Sequence, residues 1–477
     1  MILALLTLPG LARAQTWQTL NNAAPFFGGT ALLLRDGTVM MQSEDSQGYG
    51  TSNWWRLTPD STGSYLNGTW SQQASLPNGY APLYYASAVL PDGRLIVMGG
   101  EYDGHSQSES NLGAIYTPSA NTWATVAAPK GSQWANIGDA SGIILGNGTF
   151  MLGNCCSNQQ ALLHAGTLTW TVISKGKADS NSEEGWALLP DSTVLTVDTN
   201  NGTNAEKLLG TQWINAGSTI VPLADAGTLE IGPEILRPDG TVFAMGGTKN
   251  TAVYTPPAIP SEPGTWVQGP DFPVSAQGQL DMADAPASLL PDGNVLMDTS
   301  PGIFNKPTYF YEFDGTNINS VPAPPNAPND TSYFGRMLLL PTGQVLFADG
   351  SKDVEIYTPS GTFQAAWAPT ITSAPTTVTR GKTYVLAGTQ LNGLSAGAAY
   401  GDDAQMATNF PLVRVTNTSS GDVMFFPTHG PNTSKIATGS TIIGTHFDVP
   451  AAAETGASTL EVVTNGIPSA PVNITVQ

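Results

Sequence analysis

Apolar residues along this 477-residue chain come in short runs divided by turn signals. Seven times an apolar strand meets a tight-turn pair and then a second apolar strand: TALLLRDGTVMM, ASAVLPDGRLIVMGG, SGIILGNGTFMLGN, WALLPDSTVLTVD, EILRPDGTVFAMGG, ASLLPDGNVLMDT and MLLLPTGQVLFADG. Each reads as a hairpin, because Asp-Gly and its relatives supply the backbone twist that a short antiparallel connection requires. Both arms are nearly continuous in apolar residues, which places them inside a stack of sheets with both faces covered. Third and fourth strands follow, as in GAIYTPSANTW to Trp123, TAVYTPPAIPSEPGTW to Trp266 and VEIYTPSGTFQAAW to Trp367.

Tryptophan strands mark the period. They fall at Trp17, Trp70, Trp123, Trp170, Trp213, Trp266, a degenerate place near Ile318, and Trp367, giving units of about 50 residues. A four-stranded unit of that length cannot cover its own apolar faces, so the units must stack into a closed ring. The expected fold is all-β: a seven-bladed Kelch-type β-propeller over residues 15–368. The extra strand TWQTL before the first unit is expected to complete the last blade. After Trp367 the blade signature stops, and the short strands of residues 369–477 suit a C-terminal immunoglobulin-like (early-set) β-sandwich, with Pro369 to Pro375 as linker.

Residues 1–14, MILALLTLPGLARA, are apolar and end in Ala12-Arg13-Ala14, the pattern of a secretory signal peptide cleaved before Gln15. No later stretch approaches the roughly 20 apolar residues of a membrane helix. Charged residues make up 11% of the chain, with Lys+Arg 17 against Asp+Glu 37, a formal charge of -20. Such a surface repels phosphate backbones and anionic lipid, so nucleic acid and membrane are not expected partners. Cys155 and Cys156 are adjacent and cannot build a paired-Cys metal site. Two readings stay open for them: a vicinal disulfide, or two thiols in a tight turn.

The leader, the seven repeats with Gly99-Gly100 and Gly246-Gly247, and the terminal sandwich resemble the galactose oxidase and glyoxal oxidase family of copper-radical enzymes. The resemblance implies copper on the propeller axis, held by a Tyr cross-linked to a Cys, a second Tyr followed by His, and a His from the terminal domain. Tyr84 keeps the first phenol, and Tyr333 keeps the second. Gly28 stands where the Cys should be, Phe334 where the His should be, and Gln405, on a looser alignment, near the last His. Copper(II) needs imidazole or similar nitrogen donors, so copper is not expected and the oxidase chemistry is not carried over. His105, His164, His429 and His446 lack ligand spacing and read as satisfied surface or core residues.

The first-blade Asp36-Gly37 turn lies eight residues after Gly28, and the same offset marks the start of each innermost strand. It selects Gly28, Tyr84, Asp139, Glu183, Ile231, Asp284 and Phe334, with Glu230 beside Ile231. Carboxylates converging on one channel mouth raise one another's pKa or attract a cation, and Ca²⁺ is an allowed occupant. The ligand-binding candidates are therefore Tyr84, Asp139, Glu183, Glu230, Asp284, Tyr333, Phe334 and Gln405. The expectation is a secreted, extracellular monomer that binds a carbohydrate or similar polyhydroxylated ligand, or a cell-surface or matrix partner, without copper-radical redox catalysis. Its rival is a carbohydrate-active enzyme, either a hydrolase or lyase using the channel carboxylates or a divergent galactose-oxidase-like oxidase. A purely structural cell-surface or matrix component, its channel residues solvated and without a small-molecule ligand, is the third reading.

Overall fold

The computed structural model describes residues 15–173, 175–400 and 406–477. Strands dominate it, and the described helical segments are short 3-10 turns. The first sheet takes Phe27–Leu33, Val39–Glu44, Gly50–Thr58 and Thr69–Gln72 in chain order. Six further antiparallel sheets follow the same up-and-down course, with innermost strands Ala86–Val89, Gly142–Ile144, Ala187–Leu188, Ile231–Leu236, Pro286–Leu289 and Arg336–Leu339. Innermost strands of most adjoining sheets pack side by side, and Arg336–Leu339 lies against Phe27–Leu33, so the arrangement is β-propeller-like. No described helix is long and apolar enough to cross a membrane.

The repeated turn fixes the register. Gly37, Gly93 and Gly240 sit at φ 75, 89 and 86, the left-handed region that glycine enters without a Cβ clash. One residue earlier, the Asx side chain accepts the N–H two positions on: Asp36 from Thr38 at 3.0 Å, Asp191 from Thr193 at 2.9 Å, Asp239 from Thr241 at 3.0 Å. Ser192 holds the same left-handed backbone in the fourth sheet, at φ 72, without glycine's freedom.

The last sheet draws its outermost strand from the start of the chain. Thr16–Thr19 pairs with Glu355–Thr358, Trp17 opposite Tyr357, as TWQTL suggested. Trp17 meets Phe310, Phe347 and Tyr357 at ring centroids of 5.1, 5.4 and 4.9 Å and donates its indole N–H to the Pro322 carbonyl at 2.7 Å. Trp367 therefore does not end a fourth strand. It lies in the 3-10 turn Ala365–Trp367, with its ring against the Gly293 turn, because the edge it would occupy is already taken.

Beyond the ring, Thr370–Ser373 pairs with Thr383–Thr389, so the stretch read as a linker opens the first of two C-terminal sheets; its β-prone Thr-Ile-Thr outweighs the flanking prolines. Those two sheets share one core, with Leu386, Ile443 and Phe447 facing Val413, Leu460 and Val462. They sit on the turn end of the ring: Gly37 abuts Phe425, Gly148 abuts Ser434, and Gly343 abuts Gly466. From there Ala398–Tyr400 enters the ring and pairs with Pro286–Ser288 of the sixth innermost strand.

Two outcomes follow from this packing. Trp17→Ala removes the aromatic seal on the closing strand and is expected to destabilise by about 2–3 kcal/mol, under the range of a fully enclosed Trp; a melting curve unchanged from wild type would contradict that role. The second concerns protons. Burial, with Asp349 adding, pushes Asp330 up to about 8 and Glu355 up to about 9, and Asp298 well above the usual range. The unfolded chain loses these protons near pH 4 while the native state keeps them, so their contribution is full below pH 4 and declines as pH rises through 8 and 9. Depressed carboxyls such as Asp60, at about 2, act only below that window. Tm should therefore be higher at pH 5 than at pH 8.5, with the gap narrowed in Glu355→Gln; a Tm that rises with pH would refute it.

Candidate functional site

At the end of the ring opposite the turns, three carboxyl groups meet. One oxygen each of Glu183, Glu230 and Asp284 lies within 4.8 Å of the others. Glu183 and Asp284 begin their blades with left-handed backbone, φ 58 and φ 50, and Tyr84 does so at φ 52. Three of the seven residues at this offset, Tyr84, Glu183 and Asp284, thus share a conformation. The fifth sheet departs from this. A bulge between Ile231 and Glu234 shifts its register, Ile231 is 1% exposed in the core, and Glu230 takes the mouth position.

Backbone hydrogen bonds hold the rim. The Asp284 N–H donates across sheets to the Ile231 carbonyl at 3.1 Å, and within the second repeat the Glu101 N–H donates to the Tyr84 carbonyl at 3.0 Å. Three carboxylates at this separation cannot all ionise, and they share protons through hydrogen bonds between Glu230 and both partners. Burial, reinforced by Glu183, pushes Asp284 up to about 7; burial also raises Glu183. Glu101 follows, at about 7, from burial and the neighbouring Glu109 and Glu183. The mouth holds acids and carboxylates side by side near neutral pH.

Aromatic rings and one cation complete it. Tyr84 meets Tyr102 at 6.4 Å, and Tyr102 meets Tyr49 at 5.6 Å. Tyr333 packs on Phe334 at 4.3 Å and on Phe304 at 5.0 Å. Arg336, 2% exposed, stands over Tyr84 with its guanidinium carbon 5.6 Å from the ring centroid, and its Nη1 donates to the Tyr333 and Gly335 carbonyls at 2.9 Å each. It also counters the negative charge of Glu44 and Asp284.

The offset brings Tyr84, Glu183, Glu230 and Asp284 into one electrostatic neighbourhood with Tyr333. Asp139 lies one blade over, where its backbone N–H donates to Glu109. Gln405 lies outside the described residues. Cys155 and Cys156 are bonded to each other. Sequence reasoning missed Glu101 and Glu109, because their loop has no counterpart in the other repeats; the only signal was its position after Gly99-Gly100. Trp186 is core, 1% exposed and 6.1 Å from Trp213.

Copper(II) asks for imidazole or similar nitrogen donors, a requirement that can be held against the described residues. Donor groupings of three or more among them are Glu183–Glu230–Asp284, Asp179–Glu184–Asp198 and Glu109–Cys155–Cys156, none with a histidine. His105 stacks on Tyr49 at 4.4 Å beside Asp45, His164 bonds Thr171, and His429 stacks on His446 at 5.4 Å. The second grouping is already countered: buried Lys177 lies 2.9 Å from Glu184, 3.4 Å from Asp198 and 2.8 Å from Glu206. The first can offer oxygen ligands to a hard cation.

No family model and no curated protein matches the chain. Among solved structures, a catalytically inactive virginiamycin B lyase from Staphylococcus aureus with quinupristin aligns with 72% of this chain and 99% of its own, at 9% identity and TM-score 0.48. A fungal alcohol oxidase of the AA5 family, in complex with copper, aligns with 98% of this chain and 99% of its own, at 13% identity and TM-score 0.55. At that identity the likeness speaks for the fold alone, and the fold is galactose-oxidase-like.

Proposed function

We propose that this is a secreted, monomeric protein that binds a carbohydrate or similar polyhydroxylated ligand at the acidic, aromatic mouth of a seven-bladed Kelch propeller, without copper-radical chemistry. The reading includes a signal peptide at residues 1–14, a propeller over 15–368 and an immunoglobulin-like sandwich over 369–477. One observation carries it: Glu183, Glu230 and Asp284 converge beside Tyr84 and Arg336, with Tyr333 and Phe334 close by. Carboxylates accept from sugar hydroxyls, a carboxylic acid and a guanidinium donate to them, and aromatic faces take the apolar face of a pyranose. The strong negative charge suits a neutral or cationic ligand.

A second reading draws on the same carboxyls. Asp284 still carries its proton up to about pH 7, beside a Glu183 that can accept one, and a proton-holding acid close to a second carboxyl is the equipment of glycoside hydrolysis. Catalysis would then need a bond-cleaving pose that binding alone does not.

A glycan array on the full chain is the test. Binding is expected, and Asp284→Asn and Glu183→Gln should each weaken it by roughly 10- to 100-fold, the effect of losing a charged hydrogen bond. Binding to no glycan, or unchanged affinity in both variants, overturns the binding reading. Released sugar, lost in the same variants, moves the assignment to hydrolase, and stoichiometric bound copper restores the oxidase.

A further inference from the structure

The bond between Cys155 and Cys156 is lopsided in its surroundings. Cys155 is 3% exposed, whereas Cys156 is open to solvent. In thiol–disulfide exchange an incoming thiolate reaches one sulfur and the other departs. Cys156 is the exposed partner and Cys155 the buried one, so attack is directed to the Cys156 sulfur and the departing atom is Cys155 Sγ. It would leave as an anion into a buried place next to acids, an unfavourable charge unless a proton is supplied there.

Glu109 is placed to supply it. Its Oε2 lies 3.6 Å from Cys155 Sγ. The approach is built in: a Cβ on Gly138 would stand 2.0 Å from Glu109 Oε2 and 2.8 Å from Cys155 Sγ, so any larger residue would drive them apart. The Asp139 N–H fixes the carboxyl from below, and Glu109 itself is held at φ 45. Burial raises its proton affinity, against the opposing effect of the Asp139 N–H. The titratable groups around it are Glu101, Glu183 and Tyr102.

We propose that the Cys155–Cys156 pair is a thiol-exchange site, in which a small thiol forms a mixed disulfide at Cys156 while Glu109 protonates the departing sulfur of Cys155. The thiolate forms an S–S bond with Cys156 Sγ, and the Cys155–Cys156 bond breaks with its electron pair going to Cys155 Sγ. That sulfur takes the Glu109 proton, leaving a thiol and a carboxylate. A second small thiol then attacks the mixed disulfide, releases the oxidised reagent and leaves both cysteines reduced.

Glutathione is a suitable probe, added to the native full chain in the presence of an alkylating trap. Peptide mass mapping should find glutathione on Cys156 and the alkyl group on Cys155. Glu109→Gln should slow adduct formation at least tenfold at acidic pH and Glu109→Asp less, with the difference from wild type shrinking as pH rises. Glutathione on Cys155, no adduct on the folded protein, or an undiminished rate in Glu109→Gln overturns the proposal. The position of the adduct in the wild type decides even if the variants fail to fold.

Discussion

A sheet in this ring has two apolar faces and can cover neither by itself, so each depends on its neighbours and the whole depends on the joint where last meets first. That joint is made by four residues, Thr16–Thr19, laid along Glu355–Thr358. The strand is short and largely exposed, and its hold comes from one indole wedged among three rings. Ring closure also sets the geometry of the mouth, since residues from sheets far apart in sequence face each other only while the circle is complete.

The second theme is acid crowding. Low-dielectric surroundings penalise charge, and the chain responds by keeping protons on carboxyls that would be bare in water. At the seam of the sixth and seventh sheets this is a structural matter, with Asp298, Asp330 and Glu355 remote from solvent. Around Lys177 the same problem is solved by an internal cation. At the mouth the crowded acids Glu183 and Asp284 remain partly accessible.

How far the sequence led can be judged at particular residues. A tight-turn pair, Asp-Gly or a relative such as Asp191-Ser192, recurs once per sheet, so counting back from it picked out Glu183 and Asp284, and Glu230 was found only as a neighbour of the counted Ile231. A bulge in the fifth sheet slides its strand, and periodicity carries no sign of a bulge. Trp367 looked like its six predecessors, but a strand from the other end of the chain had claimed its edge. Glu101 and Glu109 sit in an insertion between Met98 and Gly113, where repeat logic is silent. The C-terminal sheets were legible as a change of pattern, yet Thr370–Ser373 was hidden between prolines.

Ala398–Tyr400 has a meaning beyond its three residues. By hydrogen bonding to Pro286–Ser288 it satisfies backbone groups in the middle of the ring that water cannot reach freely. The two C-terminal sheets are therefore not an appendage on a tether. They furnish a plug for the inner wall, and evolution cannot shuffle one half against a foreign partner without leaving bare amides at the hub.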